Sequence, residues 1–186
     1  NGAHPVLRRH PNYLWAQLAE DRLWASLIVD GHHLPPEVVK TFLRAKGIEQ
    51  CVLVSDMSGM AGLPPGRYDG NICDVEILSD GRLVIAGQRE LLAGASLPIT
   101  VGIATVMDFT DASLEEAVHM ATVQPAELLG LPSASLEPGA AADLAVFDLP
   151  ESARAEPQGT GSPRLQIRST YLAGKLVYGQ PWSPAV

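Results

Sequence analysis

Two short apolar runs organise the first third of the chain. Ala25-Ser-Leu-Ile-Val29 leads into Asp30, and Cys51-Val-Leu-Val54 leads through Ser55 into Asp56. Unbroken apolar runs, rather than alternation, mark strands covered on both faces. They predict strands over residues 24–29 and 51–55. Between them, Pro35 and Pro36 suit a helix start. Val38, Val39, Phe42 and Leu43 then form an apolar stripe at helical spacing, and Gly47 suits the helix end. Tyr13, Leu14, Leu18 and Leu23 predict a short helix within residues 11–22. Alternating strand and helix is the signature of parallel-sheet units.

The pattern changes after Gly62. Residues 72–77 and 82–86 flank Ser79-Asp80-Gly81, a hairpin signal. Residues 96–109 and 113–122 read as helices, the second opened by a capping box from Ser113 to Glu116. A short helix is predicted at 125–129 and a strand at 143–148. Residues 150–163, rich in Pro, Gly, Ser, Glu and Ala, predict a surface loop. A final hairpin, 165–172 with 175–178, turns at Ala173-Gly174-Lys175. The middle is thus α/β, and residues 66–88 and 140–180 supply strands that suit one small β domain beside it.

Bulk properties narrow the function classes. The chain has 186 residues, 46% hydrophobic and 18% charged, with a net charge of −8. That supports a packed core in one domain, or in one domain plus part of another. The acidic balance, without a Lys/Arg cluster, makes nucleic acid and anionic membrane poor partners. No apolar segment approaches the ~18–20 residues of a membrane span. Cys51 and Cys73 lie in or beside apolar runs, predicting buried free thiols in a reducing cytoplasm. The opening Asn1-Gly-Ala-His-Pro-Val lacks both Met and a signal-peptide core. It reads as a loop inside a longer protein.

The chemistry sits where the buried runs end. In barrels and open α/β sheets, the C-terminal ends of parallel strands carry the active site. Asp56 ends one run, and Asp30-Gly31-His32-His33 ends the other. A loop-capping Asp and exposed loop histidines are the plainer alternatives.

Four stretches, in this order, carry a resemblance: Asp30-Gly-His-His33, Val54-Ser-Asp56, Leu92-Ala-Gly-Ala-Ser-Leu97, and Leu136-Glu-Pro-Gly-Ala-Ala-Ala-Asp143-Leu-Ala-Val-Phe-Asp148. A closing Tyr171-Leu-Ala-Gly-Lys175-Leu-Val fits with them. The chain resembles, from Asn1 to about Gly179, the C-terminal part of the N-acetylglucosamine-6-phosphate deacetylases of the amidohydrolase superfamily. The last stretch is common to many amidohydrolases, whereas the first three point more narrowly to the sugar deacetylases. The resemblance implies the C-terminal portion of a (β/α)8 barrel, residues 1–65 and 89–135, with strands seven and eight at 24–29 and 51–55. Residues 66–88 and 136–186 would belong to a small β-sandwich. It further implies a cytoplasmic, metal-dependent enzyme of amino-sugar metabolism, a homodimer acting on a small amino-sugar phosphate. The divalent ion, zinc or similar, takes a Glu and two His as ligands in the family, and all three lie upstream of this chain.

By the same resemblance, Asp56 takes a proton from the water that the metal activates and passes it to the leaving amine. His33 polarises the acetamido carbonyl. His32 is its neighbour, and Asp30 and Gly31 complete that substrate loop. Asn1 and Gly2 match a loop that contacts the substrate phosphate, and Arg9 matches the phosphate-binding arginine, a role suited to a guanidinium fork. Leu92, Ala93 and Gly94 match a second substrate loop. Two departures bear on specificity: Ser-Asp-Met57 stands where Thr-Asp-Ala is more usual, and His32-His33 replaces an apolar-His pair. Two alternatives remain: an amidohydrolase acting on a different N-acyl or cyclic amide, and a catalytically incomplete fragment.

Overall fold

The computed structural model describes residues 6–70, 72–132, 135–149 and 165–183. Asn1, Gly2 and the segment 150–163 lie outside the described residues. The order is α1 (Tyr13–Ala19), β1 (Ala25–Leu27), α2 (Pro36–Lys46), a 3-10 turn (Ile48–Gln50), β2 (Cys51–Leu53), β3 (Gly66–Tyr68), β4 (Val75–Ile77), β5 (Leu83–Ile85), β6 (Gln88–Leu92), α3 (Ile99–Phe109), α4 (Leu114–Ala121), α5 (Val123–Leu128), β7 (Leu144–Asp148), β8 (Gln166–Leu172) and β9 (Lys175–Gly179). Among the described residues these strands form three separate sheets.

β1 and β2 pair in parallel, Ala25 beside Cys51 and Leu27 beside Leu53. The Val54 N–H extends the ladder by donating to the Leu27 carbonyl at 3.0 Å. All of β2 is buried, as its unbroken apolar run predicts. α3 and α4 pack against it and against each other. Leu27, Val39, Leu53, Val106 and Met120 meet in the main core. Full burial of a side chain such as Met120 contributes about 1.5–3 kcal/mol.

Local signals set the helix ends. Pro36 opens α2, and the Gly47 N–H closes it by donating to the Leu43 carbonyl. Gly47 has φ +76°, the left-handed region that glycine enters freely. Glu37 lies in the first turn of α2, and Arg44 and Lys46 in the last, matching the helix dipole. Ser113 and Glu116 form the expected reciprocal capping box on α4.

Strands β3 to β6 form an antiparallel meander with its own small core of Val75, Ile77 and Leu83. Neither β3 nor β6 is among the sequence-predicted strands. β3 is only three residues long, and β6 is largely exposed with three polar residues in five. Both are recruited by the edges of the β4–β5 hairpin rather than by an apolar pattern of their own. The sheet therefore runs to Leu92. β7, β8 and β9 make the third sheet, and every residue of β9 is exposed.

The cysteines differ from expectation in one respect. Both are free, and Cys51 is buried, but Cys73 is exposed. Its neighbours Asn71 and Asp74 break the apolar run, so strand β4 starts only at Val75. Burial pushes the Cys51 thiol up to about 11, which leaves it protonated and inert. No helix among the described residues is long and apolar enough to cross a membrane.

Candidate functional site

Asp30 and Asp56 each lie three residues past the paired Leu27 and Leu53. The two polar loops therefore leave the sheet side by side, at the C-terminal ends of parallel strands. β2 is buried throughout and β1 at Leu27, the residue from which its loop departs.

Asp56 is exposed and has φ +50°, in the left-handed region. A non-glycine residue there is uncommon and mildly strained, and such residues cluster at functional sites. The next residues bind a second segment. Met57 forms a parallel bridge with Ala95, and the Ser58 N–H donates to the Ala95 carbonyl at 2.9 Å. The Ala93 N–H donates to the Leu83 carbonyl at 2.9 Å, tying this segment to the meander. Gly94 (φ +105°) sits so that a Cβ would lie 3.9 Å from the Ser58 Cβ. Gly94 and Ala95 thus reach the loop after Asp56, while Leu92 and Ala93 pair with β5.

The β1 loop is built around the Asp30 carboxylate. Its Oδ1 accepts the backbone N–H of His32 and of His33, each at 2.9 Å. Its Oδ2 lies 2.8 Å from His33 Nδ1. Both side chains are about nine-tenths buried. Burial opposes ionisation of Asp30, but the His33 ring and the two N–H donors outweigh it and hold the carboxyl below its usual range. Gly31, at φ +85°, lets the chain reverse between them.

The turn between β4 and β5 carries a second acid, Asp80, close enough to His32 to feel its charge. Burial disfavours the Asp80 carboxylate, but the Arg82 N–H and guanidinium lower its pKa, with a smaller contribution from His32. The Ser96 hydroxyl donates to the Gly81 carbonyl, fixing the turn to the segment after Gly94. Sequence reading finds the hairpin but not its bond to Ser96, which the tertiary fold alone brings to Gly81.

Arg9 is exposed. The Asn12 amide donates to the Arg8 and Arg9 carbonyls at 3.0 and 3.2 Å, while its oxygen caps α1 by accepting from Leu14 and Trp15. Among the described residues no carboxylate pairs with Arg9, and no hydrogen bond joins it to the Asp30 or Asp56 loops. Asn1 and Gly2 lie outside the described residues. Among those residues, no group of three or more His, Cys, Asp or Glu side chains is arranged to hold a metal ion. A cleft of about 470 Å³ on the third sheet, beside Arg168, Tyr178 and Trp182, contains none of the candidate residues.

Chemically, the two loops offer an exposed carboxylate, an imidazole oriented by an ionised acid, and a segment of small residues between them. A carboxylate and an imidazole at adjacent strand ends suit general acid–base work on a polar bond.

Known proteins are similar to this chain in sequence and fold. An N-acetylgalactosamine-6-phosphate deacetylase of Escherichia coli O157:H7 is 33% identical over 150 residues, covering 80% of this chain and 39% of that protein. The human N-acetylglucosamine-6-phosphate deacetylase is 30% identical over 186 residues, covering 96% of this chain and 41% of that protein. A solved structure of a mutant N-acetyl-D-glucosamine-6-phosphate deacetylase from Mycobacterium smegmatis, in complex with N-acetyl-D-glucosamine-6-phosphate, superposes with a TM-score of 0.76 at 26% identity. It covers 94% of this chain and 42% of that one. The chain therefore spans about two fifths of the length of these three proteins. The sequence profile of the amidohydrolase family matches residues 16–177, and this chain therefore belongs to that family.

Proposed function

We propose that this chain carries the proton-transfer half of a deacetylase that removes the acetyl group from N-acetylglucosamine 6-phosphate. The observation that carries the proposal is the pairing of Asp56 with the Asp30–His33 loop at the ends of two hydrogen-bonded parallel strands. The names of the relatives supply the substrate class.

In this reading Asp56 accepts a proton from water as its oxygen attacks the acetamido carbon. His33 donates a hydrogen bond to the carbonyl oxygen as charge develops there. When the tetrahedral intermediate collapses, Asp56 delivers the proton to the amine nitrogen, and acetate and the free amino sugar depart. A divalent ion held by residues upstream of this chain would lower the pKa of that water. Leu92, Ala93 and Gly94 offer backbone groups to the sugar, and His32 and Gly31 shape the opposite wall. Arg9, with Asn1 and Gly2, binds the phosphate.

We assign residues 1–65 and 89–135 to the C-terminal part of a barrel, and 66–88 and 136–186 to a β-sandwich. A cytoplasmic setting agrees with the two free thiols, and the family resemblance supports a homodimer.

A second reading, N-acetylgalactosamine 6-phosphate as substrate, is favoured by the 33% identical relative. The two sugars are epimers at C4. Comparing kcat/KM for both phosphates and for unphosphorylated N-acetylglucosamine tests the assignment. A preference for N-acetylglucosamine 6-phosphate supports the first reading and the reverse supports the second. Equal turnover of the unphosphorylated sugar points to a different amide.

A further inference from the structure

We infer that Asp30 is a positioning residue that fixes the His33 ring as its Nδ1–H form, so that Nε2 is the nitrogen offered to the substrate. The inference concerns how His33 works and rests on the proposed deacetylase reading for its consequence.

The geometry is restrictive. An ionised carboxylate only accepts hydrogen bonds. Asp30 is about nine-tenths buried and uses Oδ1 for two backbone N–H groups. Oδ2, 2.8 Å from the ring, is left to receive a hydrogen from Nδ1. Nδ1 therefore carries the proton in both charge states of the ring. Among the described residues nothing bonds to Nε2. Neutral His33 then presents a lone pair at Nε2, and only the imidazolium presents a donor. A hydrogen bond from His33 to a carbonyl oxygen requires the charged ring. The other ionisable groups at this end of the sheet are His32, Asp56, Glu37 at the start of α2, and the Asp80–Arg82 pair at the β4–β5 turn. Of these, Asp80 senses His32.

The loop also predicts what an amide does in place of the acid. In Asp30→Asn, the side-chain oxygen keeps the two backbone N–H donors, and the NH2 group faces Nδ1. An NH2 group donates, so the neutral ring must place its own hydrogen on Nε2. The tautomer inverts while the loop keeps its backbone bonds.

The test is 15N-histidine NMR on the full-length, metal-loaded protein, with His33 assigned by its loss in His33→Gln. The same samples are assayed for acetate release across pH. At high pH the wild type should show a protonated Nδ1 and a bare Nε2, and Asp30→Asn should show the reverse. Its kcat/KM at neutral pH should fall on the order of 10–100-fold, as for other partners that orient a working histidine. A wild-type ring protonated at Nε2 when neutral overturns the inference, even if Asp30→Asn fails to fold. Unchanged tautomer in Asp30→Asn also overturns it. If the tautomers invert as stated but the wild type releases no acetate, the deacetylase reading fails and the positioning role stands.

Discussion

The Asp30 carboxylate holds His33 at two points, the ring at 2.8 Å and the backbone N–H at 2.9 Å, and also accepts the His32 N–H at 2.9 Å. The arrangement is local, spanning four residues, yet it sits at the end of a buried strand. It combines a turn device with an acid–imidazole pair.

That pairing makes stability depend on acid in a defined direction. The folded Asp30 pKa lies below its ordinary value of 3.8. As pH falls through that value, the unfolded chain takes up a proton before the folded one does, so folding loses stability. The contribution is complete above the ordinary value and gone below the folded one. Urea unfolding of the full-length protein between neutral pH and pH 3 should show a stability loss that is smaller in Asp30→Asn. Identical pH slopes would contradict the assignment.

On the proposed reading, phosphate recognition is separable from amide chemistry, and Arg9→Ala would remove charge-assisted hydrogen bonds worth about 1.5–3 kcal/mol. We expect kcat/KM to fall roughly 10–100-fold for the phosphorylated substrate, with little change for unphosphorylated N-acetylglucosamine. A uniform loss on both would remove Arg9 from the phosphate site.

Gly94→Ala isolates backbone strain. A Cβ there meets only ordinary contacts, the closest at 3.9 Å from Ser58. The cost therefore comes from φ +105°, about 1–3 kcal/mol. Urea midpoints should fall accordingly. Because the segment 92–95 is bonded to the Asp56 loop, KM should rise as well.

Ser113→Ala removes one half of the α4 capping box and should lower stability by about 1 kcal/mol. Kinetic constants of the surviving folded enzyme should be unchanged, since α4 contributes to the core behind β2 and not to the polar loops.

The sequence is legible where local and global preferences agree. The apolar runs before Asp30 and Asp56, the Pro36 start and Gly47 stop of α2, and the Ser113 capping box each appear as read. β3 and β6 escape because polar or very short segments became strands by completing a hairpin's edges. The exposure of Cys73 escapes because its neighbours are apolar on one side only. At the site, the residue types in the two loops are visible in the chain. The orientation of His33 by Asp30 is an Asx-type turn whose residue spacing permits it without announcing it. The bond between Ser58 and Ala95 joins residues nearly 40 positions apart and is decided by packing alone.

The central claim is that Asp56 moves the proton in amide hydrolysis. The most direct measurement is acetate release from N-acetylglucosamine 6-phosphate by the full-length, metal-loaded protein beside its Asp56→Asn variant. Loss of the general base should lower kcat on the order of 10²–10⁴-fold with KM nearly unchanged. Wild-type turnover that survives Asp56→Asn, or a fully metal-loaded wild type that releases no acetate, would contradict it.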